Sequence, residues 1–223
     1  MQVAARIDQA KYDVFRWRYE LSLPMKLALA FGFAGLTGLI AQLRFGWPVP
    51  VTGQTFAVLL AGVLMGRWWG GISMAIYVGL GAAGVPWFAP TAGMSAFTAG
   101  GIGHLAGPTG GYLIGFVLAS LFLGYFTDRY VRSRSFLSML GLMLFANFVL
   151  IYVPGLLQLH LWLDFVEGSP VSFTALLEIG AAPFIIGDII KAVTAAFIAR
   201  GVTPKRAYGS EVDGDRWSNW RIP

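Results

Sequence analysis

Long apolar runs, separated by short polar or glycine-rich breaks, dominate the pattern of this chain. An α-helix needs about 17–25 largely apolar residues to cross the hydrocarbon core of a bilayer. On this pattern we predict six membrane-spanning helices, at residues 23–43, 54–69, 71–85, 109–127, 136–162 and 182–200. The second and third spans are short and meet at the turn GRWWGG. The pattern therefore predicts an all-α integral membrane protein with a bundle of six transmembrane helices.

The segment between the third and fourth spans has an unusual composition. Residues 85–108 read VPWFAPTAGMSAFTAGGIGHLAGP. Their Gly and Pro content is too high for a spanning helix, yet the segment is too apolar for an ordinary solvated loop. We expect it to fold back into the protein as a re-entrant loop.

Composition and charge also indicate a membrane protein and exclude several kinds of functional site. Of 223 residues, 57% are hydrophobic and only 12% are charged, whereas roughly 25% are charged in a typical soluble domain. Cysteine is absent, which excludes disulfides and thiolate ligands, and two histidines make a weak case for a metal. No GxxxxGK motif of a nucleotide-binding loop occurs. We expect neither metal nor cofactor, and any ATP hydrolysis must come from other chains.

The basic residues lie on one side of the predicted spans. All Lys and Arg residues except Arg44 and Lys191 fall on the same side, and such an excess marks the cytoplasmic side. We expect both termini in the cytoplasm of a multi-pass protein of the cell (inner) membrane, and the net charge of +5 belongs to these flanks rather than to a nucleic-acid surface. We divide the chain into an amphipathic segment at residues 1–22, the membrane domain at 23–200 and a polar, mobile tail at 201–223.

Two ionisable residues lie inside the last span, in the stretch IIGDIIKAV. A charged side chain at mid-bilayer costs about 2.5–3.5 kcal/mol on insertion scales, so Asp188 and Lys191 each need a partner or a cavity. They lie on one helix face and can form a structural ion pair. The alternative is a ligand site, in which Asp188 accepts hydrogen bonds from ligand N–H groups and Lys191 binds an anionic group.

Two further motifs place polar groups at the start of a helix. An apolar helix begins within PVPVTGQTF, at the polar residues Thr52, Gln54 and Thr55. Thr52 either caps this helix or belongs to a binding site together with Gln54. In GPTGGYLIGF, the paired glycines leave the first helical turn without side chains. Either a neighbouring helix packs on the GxxxG face of Gly111 and Gly115, or a ligand meets the free N–H groups beside Gly110, Gly111 and Tyr112.

The fifth and first spans contain polar or small residues that can serve either helix packing or a functional contact. Asn147, a lone amide in the fifth span, belongs either to a site or to a hydrogen bond between helices. A kink near Tyr152 and Pro154 is expected to shape a cavity. In the first span, small residues recur at four-residue spacings and serve either packing within the monomer or docking of a membrane partner; they include Ala28, Gly32, Ala30, Ala34 and Gly38.

With these motifs in order, the chain resembles the BioY family, the biotin-specific S components of energy-coupling factor (ECF) transporters. The resemblance covers about residues 24–200 and rests on PVPVTGQT, YVGLGAAGVPWFA, GPTGGYLIGF and GDIIK. It implies an outward-facing biotin pocket, gated by the loops between spans one and two and between spans three and four. It also implies that Ala30 and Ala34 dock on a transmembrane coupling protein, which two ATPase subunits energise.

The resemblance also assigns roles within the pocket. Biotin carries a ureido ring, an apolar thiophane and a carboxylate. Asp188 would accept a ureido N–H, Gln54 and Thr52 would meet the same ring, and Lys191 would balance the carboxylate. The remaining residues expected at the site are Thr55, Tyr112, Gly110, Gly111, Phe88, Trp87 and Asn147.

Three rival functions remain from the sequence. An S component for another vitamin would keep the fold and change the pocket. A structural membrane subunit would bind no ligand, against which the costly Asp188 and Lys191 argue. An intramembrane hydrolase would need Ser95 as nucleophile and His160 or His104 as base.

Overall fold

The computed structural model describes residues 2–45, 51–90, 93–208 and 211–215, and the chain is predominantly helical. The α-helices are α1 Gln2–Glu20, α2 Leu23–Ala41, α3 Gln54–Ala82, α4 Ile102–Leu105, α5 Gly110–Arg129, α6 Phe136–Phe145, α7 Tyr152–Phe165, α8 Phe173–Gly180 and α9 Ile185–Val202. Between them lie 3₁₀ turns at Val131–Arg134 and Ala182–Phe184 and a π-helical turn at Ala146–Ile151. Strands β1 (Arg44–Phe45) and β2 (Val51–Thr52) pair antiparallel. Residues 48–50 of PVPVTGQTF lie outside the described residues.

Within the described residues, five helical stretches are long and apolar enough to cross a membrane: 23–41, 54–82, 110–129, 136–165 and 173–202. The multi-pass architecture is therefore confirmed. The last stretch begins earlier than the predicted span, because α8, whose start is capped by Ser172, precedes α9. The predicted boundary at residue 182 missed this short helix.

Helix α3 contains both of the short spans predicted from the sequence. Gly66, with φ 81° and ψ −179°, interrupts the helical geometry, and only glycine adopts such a conformation without strain. The two halves approach closely, since a Cβ on Gly70 would lie 2.8 Å from the carbonyl oxygen of Ala61. The break lies at Gly66, the first residue of the predicted turn GRWWGG.

Helices α3 and α5 form the centre of the core. Ser120 of α5 donates a hydrogen bond to the carbonyl of Val58 (2.9 Å), and a Cβ on Gly62 would lie 2.7 Å from the carbonyl of Ser120. Small residues let the two backbones approach closely, which is the usual basis of helix packing in membranes. Fully buried side chains such as Tyr77 and Leu123 fill the remaining space.

The small residues of α2 divide between two faces. Ala30 and Ala34 are fully buried, whereas Ala28 and Gly32 are exposed. Packing within the chain, one of the two alternatives given above, therefore describes Ala30 and Ala34 in this arrangement. Their docking role stays a prediction.

Both terminal segments pack against the helix bundle. Arg18 of α1 donates to the carbonyl of Val63 (2.8 Å). In the tail, the Asp213 carboxylate accepts hydrogen bonds from the backbone N–H groups of Val131 (2.7 Å) and Arg132 (3.0 Å). Glu211 forms an ion pair with Arg134 (2.9 Å). The carboxylates of Glu211 and Asp213 thus satisfy groups of the 3₁₀ turn Val131–Arg134 that would otherwise lack partners. The mobility of the tail stays a prediction.

Candidate functional site: a polar cavity between the helices

A cavity with an empty volume of about 560 Å³, counted out to its mouth, lies between α3, α5, α7 and α9. Its walls combine polar side chains with aromatic rings. The lining residues are Thr52, Gln54, Thr55, Phe88, Ala89, His104, Thr109, Tyr112, Leu113, Phe116, Ile151, Tyr152, Phe184, Asp188 and Lys191. Polar groups placed between apolar and aromatic walls are typical of small-molecule sites.

Asp188 is the centre of the polar wall, and its carboxylate accepts four hydrogen bonds. Oδ1 accepts from the Thr55 hydroxyl (3.0 Å) and from Lys191 Nζ (2.8 Å). Oδ2 accepts from the Tyr152 hydroxyl (2.6 Å) and from the Asn147 amide (3.0 Å). A carboxylate offers about four acceptor positions. A further donor from a ligand would therefore have to replace or share one of these four.

Lys191 links Asp188 of α9 to the backbone of Thr52 in β2. Its ammonium donates to Asp188 and to the backbone carbonyl of Thr52 (2.5 Å). An ammonium has three donors, so one N–H is left beyond these two bonds. The side chain is 19% exposed, against 3% for Asp188. Asp188 and Lys191 thus form an ion pair and also line the cavity. A structural ion pair and a ligand site, the two interpretations of these residues, are therefore compatible.

Gln54 is held by hydrogen bonds on both ends of its amide. Oε1 accepts from the Thr52 hydroxyl (2.7 Å), and Nε2 donates to the Tyr77 hydroxyl (2.6 Å). The Thr52 hydroxyl also accepts from the Gln54 backbone N–H (3.3 Å), so Thr52 supports the helix start and lines the cavity. These bonds fix the orientation of the amide toward the cavity.

Aromatic rings form the opposite walls. The ring of His104 stacks on Phe88 with centroids 5.4 Å apart, and Phe88 is fully buried. Tyr112 and Tyr152 meet edge to face at 6.2 Å, and the Tyr112 hydroxyl donates to the Gly180 carbonyl (2.8 Å). Burial lowers the pKa of His104, an effect that a hydrogen bond with the Ala89 backbone opposes.

The segment that carries Phe88 is tied to α2 by Gln42. The Gln42 amide donates to the carbonyls of Trp87 (3.2 Å) and Phe88 (3.3 Å) and accepts from the backbone N–H of Phe97 (2.8 Å). Trp87 does not line the cavity. Its indole N–H donates to the Tyr77 carbonyl (2.9 Å), behind the cavity wall, because the ring packs on the side-chain-free surface of Gly38.

The glycines of GPTGGYLIGF contact protein rather than an open cavity. A Cβ on Gly110 or Gly111 would clash with the carbonyls of Leu105 and Pro154, respectively. A Cβ on Gly115 would lie 2.6 Å from Cα of Ile151. Close packing against neighbouring backbone, the helix-packing alternative, is thus what these glycines provide in this structure, and a ligand contact for Gly110 and Gly111 stays a prediction.

Sequence reasoning did not assign Tyr152, Tyr77 or His104 to the site. The sequence places Tyr152 only beside a kink, whereas in the structure its hydroxyl donates to Asp188. The π-helical turn at Ala146–Ile151 brings residues five apart to one face, which an α-helix does not. A polar residue five positions after Asn147 is the signal that could have found Tyr152.

The hydrolase arrangement is not present. Among the described residues, no hydrogen bond joins Ser95 to either histidine; the Ser95 carbonyl accepts from Thr98 (2.7 Å), and His160 lies 3.5 Å from Asp164. No cluster of three or more potential metal ligands occurs in the described ranges.

The fold and the site define the class of protein: a multi-pass helical membrane protein with a cavity among its helices that is lined by polar and aromatic side chains. Comparison with known proteins gives the family. The model of the BioY family matches residues 13–208, and this chain belongs to the BioY family.

Named relatives agree with this assignment. A probable biotin transporter BioY of Methanothermobacter thermautotrophicus is 51% identical, over 74% of this chain and 100% of the relative. A probable biotin transporter BioY of Pyrococcus horikoshii is 38% identical, over 78% and 93%. The biotin transporter BioY of Rhodobacter capsulatus is 32% identical, over 76% and 86%.

A solved structure shares the fold. The crystal structure of the S-component for biotin from an ECF-type ABC transporter superposes with a TM-score of 0.65. The alignment covers 81% of this chain and 93% of the other, at 24% identity. The likeness confirms an all-helical fold of the S-component type, whereas the six spans and the re-entrant loop stay predictions.

Proposed function

We propose that this chain is the biotin-binding subunit of a vitamin uptake system and not an enzyme. Family membership and relatives named as biotin transporters support biotin as the ligand. The observation that carries the proposal is the Asp188–Lys191 ion pair in the wall of the cavity. An ionisable pair inside an apolar helix is costly, and a ligand with matching polar groups explains why it lines a cavity.

Hydrogen-bond accounting suggests how biotin is oriented. Asp188 already has four donors, whereas Oδ1 of buried Asn147 has no hydrogen-bond partner among the described residues. Asn147 is 1% exposed and does not line the cavity, so this acceptor lies behind the wall and a ligand does not reach it directly. We therefore place the ureido ring beside Asp188 and Gln54, where a ureido N–H shares or replaces one of the present donors to Asp188.

The carboxylate of biotin needs positive charge. The Asp188–Lys191 pair is neutral overall, so an added carboxylate leaves one uncompensated negative charge in the cavity. The third N–H of Lys191 and the imidazole of His104, which line the same cavity, supply the donors for it. Phe88, stacked on His104, covers the apolar part of the ligand.

The same proposal extends to orientation and partners. The chain would lie in the cell membrane with six spans, the break at Gly66 separating the second and third. Residues 85–108 would form the re-entrant gate of an outward-facing pocket, and both termini would be cytoplasmic. A coupling protein and two ATPase subunits would supply energy, with lipid around the bundle, no nucleic acid and no resident cofactor. The solved S-component from an ECF-type ABC transporter, which shares this fold, supports that partnership.

Calorimetry with biotin on detergent-purified protein tests the proposal. We expect tight binding that Asp188→Asn and Lys191→Ala each weaken at least tenfold, which is about 1.4 kcal/mol. Glu178→Gln, an exposed carboxylate on α8, is the matched control and should bind normally. Folded wild-type protein that gives no heat with biotin would contradict the ligand, and a positive result with another vitamin would assign the chain to that ligand instead.

A further inference from the structure

A second recess lies away from the cavity and shares no lining residue with it. It has an empty volume of about 830 Å³, counted out to solvent, and its walls are arginines and aromatic rings with a single carboxylate. The lining residues are Tyr19, Arg67, Trp68, Tyr125, Asp128, Arg129 and Tyr208.

The recess lies at the level where the apolar helices end. Helix α5 ends at Arg129, and α3 is interrupted at Gly66, directly before Arg67. The two ends touch, since a Cβ on Gly124 would clash with the backbone of Arg67. Arginine with Trp and Tyr at the ends of membrane helices is typical of the level of the lipid headgroups.

Arg67 is held in place without a counterion. Its guanidinium carbon lies 4.5 Å from the ring centroid of Trp68 and 5.0 Å from that of Tyr125. Within the described residues, no carboxylate forms an ion pair with its side chain, which is exposed. Stacking on rings leaves the edge of a guanidinium, with its N–H donors, open to an anion.

The carboxylate of the recess is already engaged. Asp128 accepts from Arg18 and from the Tyr19 hydroxyl (2.8 Å) on Oδ1. Its Oδ2 accepts from the backbone N–H of Arg67 (2.9 Å). Arg18 thus balances the charge of Asp128, and the recess keeps the positive charge of Arg67.

We propose that this recess binds the phosphate of an anionic phospholipid headgroup, with Arg67 as the main ligand. A basic pocket between membrane helices is a known type of headgroup site. Guanidinium edges match phosphate oxygens geometrically, and the exposed ring of Trp68 (62% exposed) lies where the glycerol region of the lipid would pack.

Native mass spectrometry of the detergent-purified chain tests this inference. Titration with phosphatidylglycerol should give bound lipid at a concentration at least tenfold lower than titration with zwitterionic phosphatidylcholine. Arg67→Gln should abolish this preference and Arg67→Lys should reduce it, because a lysine keeps the charge but not the planar edge. Arg6→Gln, an exposed arginine of α1, is the matched control and should keep the preference.

The remaining outcomes overturn the proposal. A preference that survives Arg67→Gln, or no preference in the wild type, would exclude the headgroup site. Displacement of phosphatidylglycerol by millimolar inorganic phosphate would show a site for a soluble anion instead of a lipid. Biotin calorimetry on each variant shows that it is folded, since Arg67 lies outside the biotin cavity.

Discussion

The hydroxyl of Tyr152 lies 2.6 Å from Oδ2 of Asp188, and this hydrogen bond joins the start of α7 to α9. Together with Asn147 and Thr55, Tyr152 surrounds the carboxylate with neutral donors. Asp188 therefore keeps three hydrogen bonds that do not depend on Lys191. Lys191, by contrast, has one other acceptor among the described residues, the Thr52 carbonyl.

This asymmetry predicts unequal effects of removing the two charges. Asp188→Asn leaves a largely buried ammonium without its carboxylate and should lower the free energy of unfolding by about 3 kcal/mol. Lys191→Met removes one charged hydrogen bond from a carboxylate that keeps three others, and should cost about 1.5 kcal/mol. Unfolding of both variants in one detergent measures the difference. An equal loss would contradict the asymmetry.

Tyr152→Phe tests the contact itself. The ring stays in the cavity wall, but Asp188 loses a donor, so we expect a loss of stability of about 1.5–3 kcal/mol and weaker biotin binding. Tyr130→Phe, outside the cavity, serves as the control in the same unfolding and binding measurements. Unchanged stability of Tyr152→Phe would show that another donor replaces the hydroxyl.

Two pH dependences are expected from His104. As the pH falls, the stability of the free protein should fall and the affinity for biotin should rise. Burial lowers the pKa of His104, so the folded free chain resists protonation and its stability should fall as the pH drops below about 6.5, the unperturbed value. Biotin affinity should instead rise between pH 7 and 5.5, because protonated His104 adds a positive charge beside the ligand carboxylate, which titrates near about 4.3.

Two comparisons isolate the effect of His104. The other ionisable groups that line the cavity are Asp188, Lys191, Tyr112 and Tyr152. Affinity for biotin methyl ester, which lacks the negative charge, should not rise on acidification, and His104→Gln should flatten the profile for biotin. An unaltered profile in His104→Gln would assign the dependence to one of the other groups.

The buried pair Arg134–Glu211 predicts that the tail stabilises the fold. The two side chains are 0% and 2% exposed at a separation of 2.9 Å. Glu211→Gln should therefore lower the free energy of unfolding by about 3 kcal/mol. The matched control is Glu20→Gln, which breaks the exposed pair of Glu20 with Arg16 and should leave the stability almost unchanged, because solvent screens exposed ion pairs. Equal effects in thermal unfolding would show that the tail contact is not stabilising.

Two glycines predict opposite effects of the same substitution. Gly115→Ala would bring a methyl group to 2.6 Å from Cα of Ile151 and should cost about 1–3 kcal/mol by overpacking. Gly141→Ala, with no atom within 4 Å of the added methyl, should gain about 0.5–1 kcal/mol from helix propensity. Thermal unfolding of both variants checks the sign, and a stable Gly115→Ala would contradict the tight packing of α5.

Much of the fold and part of the site were open to prediction. Apolar runs of spanning length located most of the helices because the bilayer sets their length. The cost of ionisable residues in an apolar helix marked Asp188 and Lys191, which the structure joins at 2.8 Å. The motif GRWWGG marks the turn within α3, whereas the residue at which the helix breaks, Gly66, is decided by the tertiary approach of the two halves.

The sequence by itself determined the membrane class, the approximate spans and the family, because hydrophobicity and motifs are properties of local residue order. Only the tertiary structure decided what surrounds each polar group. It placed Trp87 behind the cavity wall and the tail carboxylates against the 3₁₀ turn Val131–Arg134. It also brought Asn147 and Tyr152 onto one oxygen of Asp188 through a π-helical turn. These contacts join residues that are far apart in the chain. Which residues meet therefore depends on how the helices pack, and no spacing in the sequence predicts it.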